Sequence, residues 1–185
     1  MSRLFGNPED FGIEAGLEPD GHIATTLWGH MQIWCRGHRL GSMDERYCAI
    51  GQSYASFRNL VPQLDSLWST EFESRSDEEI LTFLDDALYR EPIAHDVPDR
   101  TALKVAADAA LAWGRFDLLS NWGPQFDECR AFILCPPGDD IVILSRNLPE
   151  DAGIRVSVTR TSFLLATEGF IRWFEDESRR LAIPY

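Results

Sequence analysis

From Leu4 to Leu17 the chain reads Leu-Phe-Gly-Asn-Pro-Glu-Asp-Phe-Gly-Ile-Glu-Ala-Gly-Leu, a turn that runs into a two-residue alternation. Pro8 fixes its own φ and biases Asn7 away from the helical region, so Gly6-Asn7-Pro8 predicts a reversal. Beyond it Phe11, Ile13, Ala15 and Leu17 fall on one side, and Gly12, Glu14, Gly16 and Glu18 on the other. That is the pattern of a strand with one buried and one wet face. A half-buried strand needs further strands beside it and a layer across it, and the rest of the chain is read as supplying both. Glycines 12 and 16 read as close packing beside a neighbouring strand.

Glu18-Pro19-Asp20-Gly21 predicts a turn, and a second strand follows at Gly29 to Arg36, where Met31, Ile33 and Cys35 alternate with His30, Gln32, Trp34 and Arg36. Gly37 permits a tight reversal into His38 to Leu40. Between Ile50 and Trp68, Tyr54, Phe57, Leu60, Val61, Leu64 and Trp68 recur at three and four, a helical period that Pro62 divides into two short pieces. Ser76-Asp77-Glu78-Glu79 is a capping box opening a helix that carries Ile80, Phe83, Leu84, Ala87 and Leu88 and ends at Glu91-Pro92. Thr101 to Phe116 reads as a helix with a close-packing face of Leu103, Ala106, Ala107, Ala110, Leu111 and Trp113. Gly123-Pro124 breaks the chain. Two strands apolar on both faces, Ala131 to Cys135 and Ile141 to Leu144, flank a hairpin loop at Pro136 to Asp140. A half-exposed strand from Ile154 to Arg160 precedes a closing helix from about Ser162 to Arg180 that buries Phe163, Ala166, Phe170, Ile171 and Phe174. The expected architecture is α+β, a mostly antiparallel sheet with helices packed on it, in a single domain over residues 1–185.

Thirty acids oppose 17 bases, and all but one of those bases are arginine, so the formal net charge is −13. Such a field repels nucleic acid and anionic membrane and speeds association with a basic partner. It also serves plain solubility. Eleven of the acids lie between Asp65 and Asp99, against only Arg75 and Arg90. Without a membrane-length apolar run or a secretory signal at the N-terminus, the expected location is the cytosol.

Catalytic and metal chemistry find little support in the residues. Cys35 and His38 stand in a Cys-x-x-His spacing near His30 and Cys48, but alternation sends Cys35 and His30 to opposite faces of their strand. The four cysteines read as small buried thiols kept reduced. There is no Gly-x-Ser-x-Gly elbow, dinucleotide fingerprint or phosphate loop, and adjacent carboxylates such as Asp85-Asp86 point apart. No enzyme activity, cofactor or metal is expected. Binding has more to work with, because six tryptophans and many arginines are types enriched at interface hot spots. Trp34 stands out, sharing the polar side of its strand with His30, Gln32 and Arg36; a layer of helices on that side would bury it instead.

Leu4-Phe-Gly-Asn-Pro-Glu-Asp-Phe-Gly-Ile-Glu14, Gly29-His-Met-Gln-Ile-Trp34 and Arg36-Gly-His-Arg-Leu-Gly41 together resemble bacterial immunity proteins of family 42 from polymorphic toxin systems. Those begin with a Gly-Asp-Pro-x-x-Phe-Ala-Ile-Glu type of pattern, followed by a Gly-His-x-x-hydrophobic-Trp strand and an x-Gly-x-x-x-Gly turn; here Asn7 and Gly12 depart from it. The resemblance implies a non-enzymatic protein that protects its producer by binding the C-terminal domain of a cognate toxin delivered between bacteria. A basic toxin would suit the charge. The candidate contact residues are Glu71, Glu73, Asp77, Glu78, Glu79, Asp85 and Asp86 on the acidic stretch, with Trp34. The competing class is an acidic adaptor or nucleic-acid mimic with several partners, also without enzymatic activity.

Overall fold

A computed structural model describes residues 2–23, 26–44, 48–89, 100–119, 122–138, 140–148 and 153–183, with the side chains of 19–23, 100–103 and 105–106 left aside. Asn7 and Pro8 turn the chain as their chemistry dictates: β1 (Arg3–Gly6) pairs antiparallel with β2 (Phe11–Ile23), and the Asn7 amide donates to the Phe11 carbonyl at 2.9 Å. Gly6 adopts φ +82°, and a Cβ there would meet the Phe11 carbonyl oxygen at 2.5 Å and Ala166 at 2.6 Å, so only glycine fits. Next to β2 lies β3 (Thr26–Cys35), whose other edge pairs with β4 (His38–Leu40) and β5 (Cys48–Ala49).

The expected turn at Glu18 to Gly21 does not form. The chain stays extended to Ile23, and the irregularity appears instead as a register shift between Leu17 and His22. A bulge absorbs Pro19 and Gly21 at low cost because it leaves residues outside the hydrogen-bond ladder, where a missing N–H is harmless. A Cβ on Gly16 would sit 2.6 Å from His30 Nε2 on β3, the close packing beside a neighbouring strand expected there, whereas one on Gly12 would meet the Asn7-Pro8 turn instead, with Pro8 N at 3.3 Å.

Two helices cover the Phe11/Ile13/Ala15 face. One is α1 (Ile50–Leu60), which Pro62 converts into a 3₁₀ segment at Val61–Ser66; the other is the long α4 (Arg160–Arg180). Phe57, wholly buried, meets Trp122, Phe163 and Phe170 edge-on, so this layer is held by interlocked rings.

A second antiparallel sheet follows the order β6 (Cys129–Leu134), β7 (Asp140–Asn147) and β8 (Ile154–Thr159). Its first two strands are apolar on both faces because α2 (Asp77–Tyr89) packs against β6 and β7 while α4 packs against β7 and β8. The core is continuous from Phe5 and Phe11 through Phe57 and Trp122 to Ile133 and Ile143. Polar ties reinforce the junction: Thr159, the N-cap of α4, donates to Asp10 at 2.6 Å and accepts from the Ser162 amide at 3.2 Å, and Arg36 donates to the Ser157 carbonyl at 2.8 Å.

The helix expected over Thr101 to Phe116 forms as α3 (Arg100–Trp113), which packs on α2 and ends in a 3₁₀ turn. Its expected packing face is a correction. Ala107, Ala110 and Leu111 are exposed, Leu111 at 85%, and the helix docks through Trp113 against Phe72 and Phe83. Small residues gave the helix its propensity rather than a buried stripe. Leu103 and Ala106 lie outside the described side chains, as do the connection from Glu91 to Asp99 and Asp139 of the hairpin loop.

Candidate functional site

The acidic stretch occupies a 3₁₀ turn at Thr70–Phe72 and the first turns of α2, and its members have different tasks. Glu79 closes the capping box: it accepts from the Ser76 amide at 2.7 Å and hydroxyl at 2.8 Å while its own amide reaches the Ser76 hydroxyl at 3.3 Å. Those bonds hold the Glu79 carboxyl below the usual range. Asp77 pairs with Arg155 of β8 at 3.2 Å. Asp85 faces the sheet, 2.6 Å from Arg146 and 3.8 Å from Arg130, and ties α2 to β6 and β7. Glu71 leans on Arg75 at 3.8 Å. Asp86 is exposed. Glu73 and Glu78, also exposed, have no ion-pair partner among the described residues.

Between this helix start and the second sheet lies a cavity of about 370 Å³ that residue spacing alone gives no sign of. Its floor is apolar, with Trp68, Phe72 and Ile80 on one side and Leu134, Pro136 and Val142 on the other. The rim alternates in sign: Glu73, Arg75, Asp77 and Arg155. Trp68 and Phe72 meet edge-on at 5.8 Å, and the backbone before them is pinned where Cys135 N donates to the Leu67 carbonyl at 2.6 Å. Trp68 is half-buried, and its indole N–H is enclosed without an acceptor among the described residues.

Trp34 belongs to a separate cluster on the first sheet. It lies on the face opposite α1 and α4, half-buried, so the helical layer that could have enclosed it covers the other side. Cross-strand register sets Glu14 opposite Gln32 and Gly12 opposite Trp34. The Glu14 carboxylate thus collects three donors, Gln32 Nε2 and Ser2 Oγ at 2.8 Å each and Trp34 Nε1 at 3.3 Å. Burial alone would raise its pKa, but those donors and nearby His30 together hold it below the ordinary value. Alternation placed these residues on one face; only the register brings them together.

Burial pushes the Cys129 and Cys135 thiols up to about 11 and Cys35 higher still, so all three stay protonated and unreactive near neutral pH. Among the described residues no three His, Cys, Asp or Glu side chains converge as metal ligands would, and no described helix is long and apolar enough to cross a membrane. The fold is a compactly cored single α+β domain whose surface carries exposed carboxylates and half-buried tryptophans, Trp34 and Trp68 among them.

The comparisons carry this further. Residues 1–163 match immunity protein 42, and the chain belongs to that family. It neutralises a cognate toxin. The fold is also that of a solved structure, CdiI from Burkholderia dolosa AUO158, with a TM-score of 0.63 at 12% identity, covering 92% of this chain and 99% of that one. No curated protein matches the sequence.

Proposed function

We propose that neutralisation is stoichiometric occlusion: the acidic surface of Glu71, Glu73, Asp77 and Glu78 meets a basic surface on the toxin's C-terminal domain, and no bond in the toxin is altered. The observation that carries this reading is the charge distribution. Within a chain of net charge −13, the stretch from Asp65 to Asp86 holds eight acids and one base, Arg75, and presents Glu73 and Glu78 exposed and without an ion-pair partner among the described residues. Such a patch speeds encounter with an opposite charge and orients it. Glu79 and Asp85 support it from behind by starting α2 and fixing it to the sheet. Trp34 holds the Glu14 network on the other sheet rather than entering this surface. The protein acts in the cytoplasm of the producer, without enzymatic activity.

Titrating toxin with the purified protein tests this directly. Toxin activity should fall linearly to zero at one equivalent, and toxin separated from the complex in denaturant and refolded should regain full activity. Inactivation by a small fraction of an equivalent, or toxin that stays dead after separation, would overturn occlusion in favour of catalysis on the toxin.

A further inference from the structure

The cavity beside the acidic rim has a composition that selects its occupant, and we propose that it seats one long cationic side chain, arginine or lysine, from the toxin. The proposal rests on the toxin-binding reading and deepens it.

Both cations at the rim are already satisfied. The Arg75 guanidinium lies 4.0 Å from the centroid of the Phe83 ring and 3.8 Å from Glu71, and Arg155 is held by Asp77 at 3.2 Å and donates to the Ser157 hydroxyl at 2.9 Å. Glu73 is the rim charge with no such partner among the described residues. The charge the cavity still lacks is therefore positive. An anion would meet unpaired Glu73, and a purely aliphatic group would leave it unanswered.

The floor fits the rest of such a side chain. Methylenes of arginine or lysine lie along apolar surface while the charged head stays at the polar edge, and an aromatic face beneath adds cation–π attraction. Half-buried Trp68 lines the cavity together with buried Phe72 and with Glu73. At about 370 Å³ the cavity admits a side chain but no folded segment. A pocketed anchor of this kind, surrounded by contacts that exclude water, is how most interface energy is concentrated.

The test is titration calorimetry of the full-length protein with its cognate toxin domain, at high salt so that long-range steering is screened. Glu73→Gln should weaken binding about tenfold and Glu73→Lys on the order of a hundredfold, as for a charge pair at a desolvated anchor. Glu9→Lys, an equal charge change at an exposed turn, should leave affinity within about twofold. One Arg→Glu or Lys→Glu variant of the toxin should lose affinity for wild type to the same degree and regain it with Glu73→Lys. Glu73 lies on the surface, so its variants fold even where Trp68→Ala does not. Affinity of Glu73→Lys equal to that of Glu9→Lys, or no toxin charge reversal rescuing it, overturns the cavity proposal. Wild-type protein that fails to bind the toxin at all removes the toxin-binding reading itself.

Discussion

Glu14 is the residue at which charge and register meet most tightly, with Ser2, Gln32 and Trp34 all donating to one carboxylate. Its folded pKa lies below the ordinary 4.5, so the unfolded chain takes up a proton before the folded one does. The linked stability is therefore fully present above pH 4.5 and fades as pH falls through the lowered folded value. Glu14→Gln should cost about 1 kcal/mol at pH 7, toward the low end for a charged hydrogen bond because the site is part-exposed. In denaturant titrations at a series of pH values the gap between variant and wild type should narrow as the pH falls below 4.5 and close once it passes the lowered folded value. A gap that persists unchanged into strong acid would mean that packing, not the carboxylate charge, is what Glu14 contributes. This cluster was only half legible in the sequence. Alternation told which side Glu14, Gln32 and Trp34 share, but the pairings Glu14 with Gln32 and Gly12 with Trp34 depend on how two strands slide past each other, and a single strand's pattern carries no register.

At the scale of elements, the local signals that held were those with their own chemistry. The capping box placed the start of α2, Pro62 split the helix after Leu60, and continuous apolar runs marked β6 and β7 as strands covered on both faces. The signals that failed were compositional: Pro19 and Gly21 suggested a turn that a bulge absorbed, and alanines in α3 suggested a buried stripe that tertiary packing left outside. The cavity was illegible for a related reason, since its walls come from a 3₁₀ turn, a helix start and three strands far apart in sequence. Two predictions belong here. Ser76→Ala removes the N-cap and should cost about 1 kcal/mol in denaturant unfolding, with toxin affinity altered only as far as α2 frays; an unchanged midpoint would show that the cap is redundant. If the exposed acids steer the toxin as proposed, Glu73→Lys and Glu78→Lys together should slow toxin association and flatten its dependence on salt. Asp77 and Glu79 are poor choices for that experiment because reversing them also breaks the Arg155 pair and the cap. Association measured by stopped flow with an unchanged rate and salt slope would remove the acidic surface from the encounter.

Across the whole molecule the two sheets are joined through shared interior rather than by a linker. Phe57 of α1 touches Phe163 and Phe170 of α4, α4 in turn lies along β1, β2, β7 and β8, and Asp10 of the first sheet's turn holds the N-cap of that same helix. Removing support from either sheet must then loosen both, which is the physical content of a single domain. Phe57→Ala makes the sharpest case. The side chain is wholly enclosed among Trp122, Phe163 and Phe170, so truncation loses its transfer free energy and leaves a cavity, a cost of about 3–5 kcal/mol. Thermal unfolding of the variant, followed by far-ultraviolet circular dichroism and by hydrogen exchange at amides of β2 and of β7, should shift as one transition to lower temperature. The β7 amides should lose protection in step with those of β2, although β7 makes no contact with Phe57 among its ring partners. Protection in β7 that survives while β2 exchanges freely would divide the chain into two folding units and would place the cavity proposed to meet the toxin, lined in part by Leu134 and Val142, on the more stable of them.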